Sequence, residues 1–182
     1  MALLTNLSRF LEARTNDYRL IRHKQQAHFG GIDILVNNAG RGRGGPIEEI
    51  PFETYQRMIA VNVIWVFVAT QEAARHIKPS GRIIQIGSSV TRYAAFPTAS
   101  LYTLTKGAIS GFNRSLVRDS GAKRITITTV HTDPTDTDMN PADGRVAKIV
   151  GPGTTIGHYG QPTEIVSAVA FLAGAENVAD GR

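Results

Sequence analysis

The 182-residue chain is one domain's worth of sequence, long enough to bury a sizeable core, and 42% hydrophobic with 19% charged residues suits a globular fold. Its net charge of +5 is scattered, without the basic stripe and interleaved aromatics of a nucleic-acid surface. The absence of cysteine excludes disulfides and thiolate metal sites; His23, His28, His76, His131 and His158 show no metal-ligand spacing, and no apolar run reaches transmembrane length.

Residues 1–14 put Leu3, Leu4, Leu7, Phe10 and Leu11 on one helical face and predict an amphipathic N-terminal helix, the unusual part of residues 1–22. Arg9 and Arg14 with Thr5 and Ser8 invite a mitochondrial targeting reading, but Glu12 and Asp17 oppose it, and a cytoplasmic protein is expected. Residues 32–36 read as a buried strand leading into Asn37-Asn38-Ala39-Gly40. Gly40, Gly42 and Gly45 then satisfy G-x-G-x-x-G after a strand. A dinucleotide fingerprint would open a helix directly, whereas Pro46 and Pro51 delay the next helix to about Phe52, so a flexible loop is predicted. Residues 52–77 form the longest helical stretch, with Tyr55, Met58, Ile59, Val63, Val66, Phe67 and Thr70 at helical intervals.

Ile83-Ile84-Gln85-Ile86 is a second strand, stopped by Gly87-Ser88-Ser89. Helical spacing resumes near Ser100 with Leu101, Leu104, Ala108, Ile109 and Phe112. On that helix Tyr102 and Lys106 lie four apart and leave the same face. A lysine charge beside a phenol favours phenolate, which would lower the Tyr102 pKa toward the operating pH. The same spacing also occurs on ordinary solvated helix faces, so the pair needs company. Residues 124–132 give a third strand, residues 133–161 a long Gly- and Pro-rich connection, and residues 163–173 a last helix.

That company exists. Tyr102-Thr103-Leu104-Thr105-Lys106 fits Y-x-x-x-K, Ser89 lies thirteen residues before Tyr102 (102 − 89), and Asn37-Asn38-Ala39-Gly40 reads N-N-A-G. Asn62 in Ala60-Val61-Asn62-Val63 and the segment Pro134-Thr135-Asp136-Thr137-Asp138-Met139 complete a set in fixed order. Over about residues 25–175 the chain resembles the short-chain dehydrogenases/reductases. The resemblance implies an incomplete Rossmann-like, doubly wound parallel α/β sheet, strands 4-5-6 of the family order with flanking helices, in a single partial domain over 1–182. It implies a hydride transfer between NAD or NADP and a carbonyl or alcohol, with Asn62, Ser89, Tyr102 and Lys106 catalytic. Tyr102 would be the acid/base, Lys106 would lower its pKa and hold the nicotinamide ribose, Ser89 would bind the substrate oxygen, and Asn62 would keep a water-linked proton path. Asn37, Asn38, Ala39 and Gly40 would line the adenine side, and Thr135 and Thr137 would meet the cofactor with Tyr102 and Lys106. Ser88 is the alternative hydroxyl, one residue off the family spacing. The resemblance further implies a substrate lid over 133–161 and a homo-oligomer paired through helices 52–77 and 100–118.

Departures are as specific as the matches. No T-G-x-x-x-G-x-G turn precedes Asn37, and Ala179-Asp180-Gly181 is at best a remnant of the last strand's D-G-G-like end. Thr132-Asp133 stands where the family has Pro-Gly, adding a carboxylate near an anionic cofactor, and Trp65 replaces a small residue. A sheet of three strands leaves 32–36 as an apolar edge, open to intermolecular pairing unless residues 1–22 cover it. The rival reading is therefore a truncated, non-catalytic family member, an interaction fragment that keeps the pairing helices without holding a dinucleotide.

Overall fold

The computed structural model describes residues 3–4, 31–93 and 96–174. Four parallel strands form one sheet in the order β1-β2-β3-β4: β1 is Leu3–Leu4, β2 Ile32–Asn37, β3 Ile77–Ile86 and β4 Thr126–Val130. The three strands read from the sequence are its body. β1 is a correction: Leu3 and Leu4 pair with Ile34 and Leu35 as strand, where a helix is predicted. A two-leucine apolar run fits either period, and the unpaired backbone groups along β2 decide for the strand. The rest of the predicted N-terminal helix lies outside the described residues. At Ile34 and Leu35 the apolar edge of the sheet is thus covered.

Helices sit on both faces. α1 (Phe52–Ile59) and α2 (Trp65–His76) are joined through a π-helical segment, Ala60–Ile64, so residues 52–76 run on as one rod. α3 spans Ser100–Ser120, α4 Arg145–Val150 and α5 Pro162–Ala173. One core layer gathers Ile32, Leu35, Ile83 and Ile125 with Ala73 of α2 and Ile77. The opposite layer gathers Ile34, Val36 and Ile84 against Val169, Leu172 and Ala173 of α5. From Ile34 to Val36 and from Ile83 to Ile84 successive residues alternate between these layers, and both layers are apolar, which is why these stretches read as hydrophobic runs.

β3 starts six residues earlier than the apolar run suggests. Ile32 pairs with Ile77 but Ile34 with Arg82, so Lys78-Pro79-Ser80-Gly81 bulges out of register, with Ser80 at φ 64°. A Cβ on Gly81 would stand 2.5 Å from Cγ1 of Ile77, so the bulge closes only on glycine. The 133–161 connection is also more ordered than its composition implies. Gly160 donates its N–H to Pro134 and receives that of Asp136, both at 2.9 Å, pinching the two ends together around α4 and a 3-10 turn, Gly151–Gly153. Trp65 is half-buried at the first residue of α2. No helix among the described residues is long and apolar enough to cross a membrane.

Candidate active site

The carboxyl ends of β2, β3 and β4 lie side by side, with Asn37 paired to Gln85 and Ile86 to Val130. Beyond β3 and β4 the ladder continues as Gly87 N–H to the Val130 carbonyl, 2.8 Å, and Ser89 N–H to the Thr132 carbonyl, 3.0 Å. The loops that follow all open at one edge, which is where open parallel sheets bind ligands.

α3 delivers Tyr102 and Lys106 to that edge. Lys106 is buried, its Nζ donates to the Ile86 carbonyl at 2.8 Å and stands 5.8 Å from the centre of the Tyr102 ring. Burial lowers the Lys106 pKa to about 8, since a low-polarity setting disfavours the charged form. The same burial raises the Tyr102 phenol above its ordinary value, and a hydrogen bond from Ser88 works against that rise. This corrects the predicted sign for Tyr102: desolvation outweighs the Ser88 hydrogen bond that favours the phenolate. The pair is poised with the phenol protonated.

The hydroxyl brought to Tyr102 is that of Ser88. Ser88 is buried and extended at φ −161°, ψ 145°, and its Oγ accepts from Val90 N–H at 3.4 Å. Ser89, predicted on its spacing, instead opens the 3-10 turn Ser89–Thr91 and is held through its backbone.

Asn62 joins the site from the π segment, where the widened turn aims its amide off the regular helix. Its Oδ1 accepts from Arg41 N–H and its Nδ2 donates to the Arg41 carbonyl, each at 2.8 Å, and to Thr105 Oγ1 at 3.0 Å. Two of these three bonds pin residue 41, and through it the Asn37–Gly40 turn. Gly40 ends beside both groups: a Cβ there would lie 3.6 Å from Asn62 Oδ1 and 3.7 Å from Lys106 Nζ. Asn37 is buried and donates to Thr70 Oγ1 at 3.1 Å, a structural role, while Asn38 and Ala39 are exposed. Thr135 donates to the Asp133 carbonyl at 2.9 Å, and exposed Thr137 bridges to Asn140.

Two residues joined here carry no signal of their own in the sequence. Thr105 is fully buried and links the Tyr102 carbonyl, 2.8 Å, to Asn62. His131 places Nδ1 3.1 Å from the Ser88 carbonyl. The 40–45 loop opens no α-helix, only the 3-10 turn Ile47–Glu49 after Pro46, and Gly45 N–H goes to the Thr98 carbonyl at 3.0 Å, as a loop docked on its neighbour. Beside the site, a cavity of about 540 Å³ is lined by Tyr93, Asp133, Thr135, His158 and Glu164; Tyr93 Oη donates to Asp133 at 3.1 Å. Among the described residues no cluster of three or more potential metal ligands occurs.

A family model described as short chain dehydrogenase matches residues 13–147. The cyclic-di-GMP-binding biofilm dispersal mediator protein of Escherichia coli K12 is 38% identical over 147 residues, covering 81% of this chain and 62% of that protein. Among solved structures, a short-chain dehydrogenase/reductase from Serratia marcescens shares 42% identity at a TM-score of 0.84, covering 90% of this chain and 67% of its own. A blue fluorescent protein from a metagenomic library, in complex with NADPH, shares 39% at 0.85, covering 91% and 68%. This chain belongs to the short-chain dehydrogenase family. It spans about 60% of the length of the curated relatives it matches.

Proposed function

We propose that this chain forms the catalytic part of an oxidoreductase that moves a hydride between NADP(H) and a small carbonyl or alcohol substrate. The observation that carries the reading is the convergence of Ser88, Tyr102 and Lys106 at the carboxyl edge of the sheet. Tyr102 gives a proton to the substrate oxygen in reduction and takes it back in oxidation; Ser88 donates a hydrogen bond to the phenol or to that oxygen. Lys106 donates to the Ile86 carbonyl and, as an ammonium with three donors, keeps further N–H groups for the hydroxyls of a ribose. Asn62 acts by holding Arg41 and Gly40 against this group rather than by moving a proton itself. Thr135 and Thr137 stand on the loop that would face the nicotinamide.

The donor set fits a nicotinamide riboside: a buried ammonium for the ribose and paired hydroxyls for the substrate oxygen. When bound, that cofactor supplies or accepts the hydride. At the phosphate end Asp133 brings a carboxylate, which would oppose an anionic group. NADP(H) is favoured over NAD because related structures were solved with NADPH or NADP. Two copies would pair through the 52–76 rod and α3, where Ile64, Phe67 and Leu104 are exposed and the Phe67 ring lies tilted 5.8 Å from that of Phe112.

A second reading, a non-catalytic family fragment, draws on Asp133, whose carboxylate would oppose an anionic cofactor. Titration of NADPH and NADH against the purified chain, read by cofactor fluorescence, separates the two. Saturable micromolar binding, with turnover lost in a folded Tyr102→Phe variant, supports the enzyme. No binding, or full turnover in that variant, removes it.

A further inference from the structure

The Ser88 carbonyl oxygen is held by three donors. Thr91 supplies its N–H at 3.3 Å and its Oγ1 at 2.9 Å, both from the same turn. His131, the first residue after β4, supplies Nδ1 at 3.1 Å from another element, and Nδ1 also lies 3.4 Å from Thr91 Oγ1. A carbonyl can only accept, so a hydrogen bond at this contact assigns the proton of His131 to Nδ1. The ring reaches this position because residue 87 is glycine: a Cβ there would be 2.8 Å from Nδ1 and 2.7 Å from Thr129 Cγ2. On the side-chain side, Ser88 Oγ already accepts from Val90 N–H, leaving its single O–H to be given away.

We propose that His131 is a positioning residue: by holding the Ser88 carbonyl to the end of β4, it sets the direction in which the Ser88 hydroxyl leaves the backbone toward Tyr102. Peptides are planar, and the chain on either side of Ser88 is fixed by Gly87 N–H on the Val130 carbonyl and Ser89 N–H on the Thr132 carbonyl. A shift of the Ser88 carbonyl is therefore taken up at φ and ψ of Ser88 and swings the hydroxyl off the phenol. The proposal rests on the reading of Ser88 and Tyr102 as acid–base partners only for its effect on turnover; the geometry itself needs no cofactor.

The test compares His131→Ala with His131→Asn in the full chain. The amide Nδ2 of Asn sits as many bonds from Cα as Nδ1 of histidine, so it restores the donor without the ring. The readout is the titration of a fluorinated, ¹³C-labelled tyrosine at position 102, whose phenol ionises within the range of the folded protein. Loss of the Ser88 hydrogen bond should raise its midpoint by about half to one pH unit in His131→Ala. His131→Asn should return it to the parent value. An unchanged midpoint in folded His131→Ala, or no recovery in His131→Asn, overturns the proposal. If His131→Ala does not fold, His131→Gln replaces it. Its amide nitrogen lies one bond further out, so it should behave as a loss, and a midpoint equal to that of His131→Asn refutes the role. Absent NADPH binding would sink the proposed activity while leaving this titration to decide on its own.

Discussion

Replacing the site lysine should make the protein more stable. Lys106 is 7% exposed, and burial takes its pKa from 10.5 to about 8. That difference of about 2.5 units corresponds to about 3 kcal/mol of folding free energy lost to holding the ammonium out of water. Its hydrogen bond to the Ile86 carbonyl returns about 1 kcal/mol, so Lys106→Met should gain about 2 kcal/mol at pH 7. The sign follows from proton counts. Below pH 8 both folded and unfolded chains hold the proton and the penalty is constant. Between about pH 8 and 10.5 the unfolded chain holds it and the folded one does not, so the parent gains stability with rising pH. The advantage of Lys106→Met should therefore be full at pH 7, gone by about pH 9.5 and slightly reversed by about pH 10.5. Urea denaturation of both proteins across that range measures the difference, in which all other titrating groups cancel. A Lys106→Met protein less stable than the parent at pH 7 would refute the reasoning. Such a trade of stability for a charged group in a dry site is what a functional lysine predicts.

Ser88→Ala should cut turnover by about 100-fold or more, as loss of a hydrogen-bond donor to a developing charge does, while Ser89→Ala should stay close to the parent. Equal losses in both would return the role to the thirteen-residue spacing. Phe67→Asp should shift the sedimentation profile from a dimer to a monomer, because a charge would then sit in the exposed apolar face of α2 and α3; a parent that is already monomeric at high micromolar concentration removes the pairing.

What the sequence shows and what it conceals divide along physical lines. Tyr102 and Lys106 are legible because four-residue spacing on a helix fixes a common face, and α3 keeps that spacing over 21 residues. Choosing between Ser88 and Ser89 is not legible in that way, since the loop between β3 and α3 has no period to carry the count. The start of β3 is hidden because its polar 78–81 stretch bulges out of the ladder and packs no core. α4 has six residues between Gly144 and Gly151, too few for a periodic signal. Ala60–Ile64 has the composition of any buried helix, and nothing in it announces a wider turn. The pKa of Tyr102 went the other way for a related reason: sequence proximity counts the lysine charge but cannot count the water that folding removes.

That last point sets the direction in which the site is prepared to work. A phenol held protonated by burial is ready to give a proton, whereas a base for alcohol oxidation must first lose one against the same desolvation. The ammonium that steadies the phenolate left behind is itself lost as pH rises through about 8. Carbonyl reduction should then hold a plateau below about pH 8 and fall above it, by about tenfold per unit once Lys106 is neutral. Initial rates of NADPH-dependent reduction between pH 6 and 10, at saturating substrate, report this directly. A rate that climbs from pH 8 to 9 would mean that the reacting form carries the phenolate and that Lys106 stays charged, which the burial of both groups in this structure opposes.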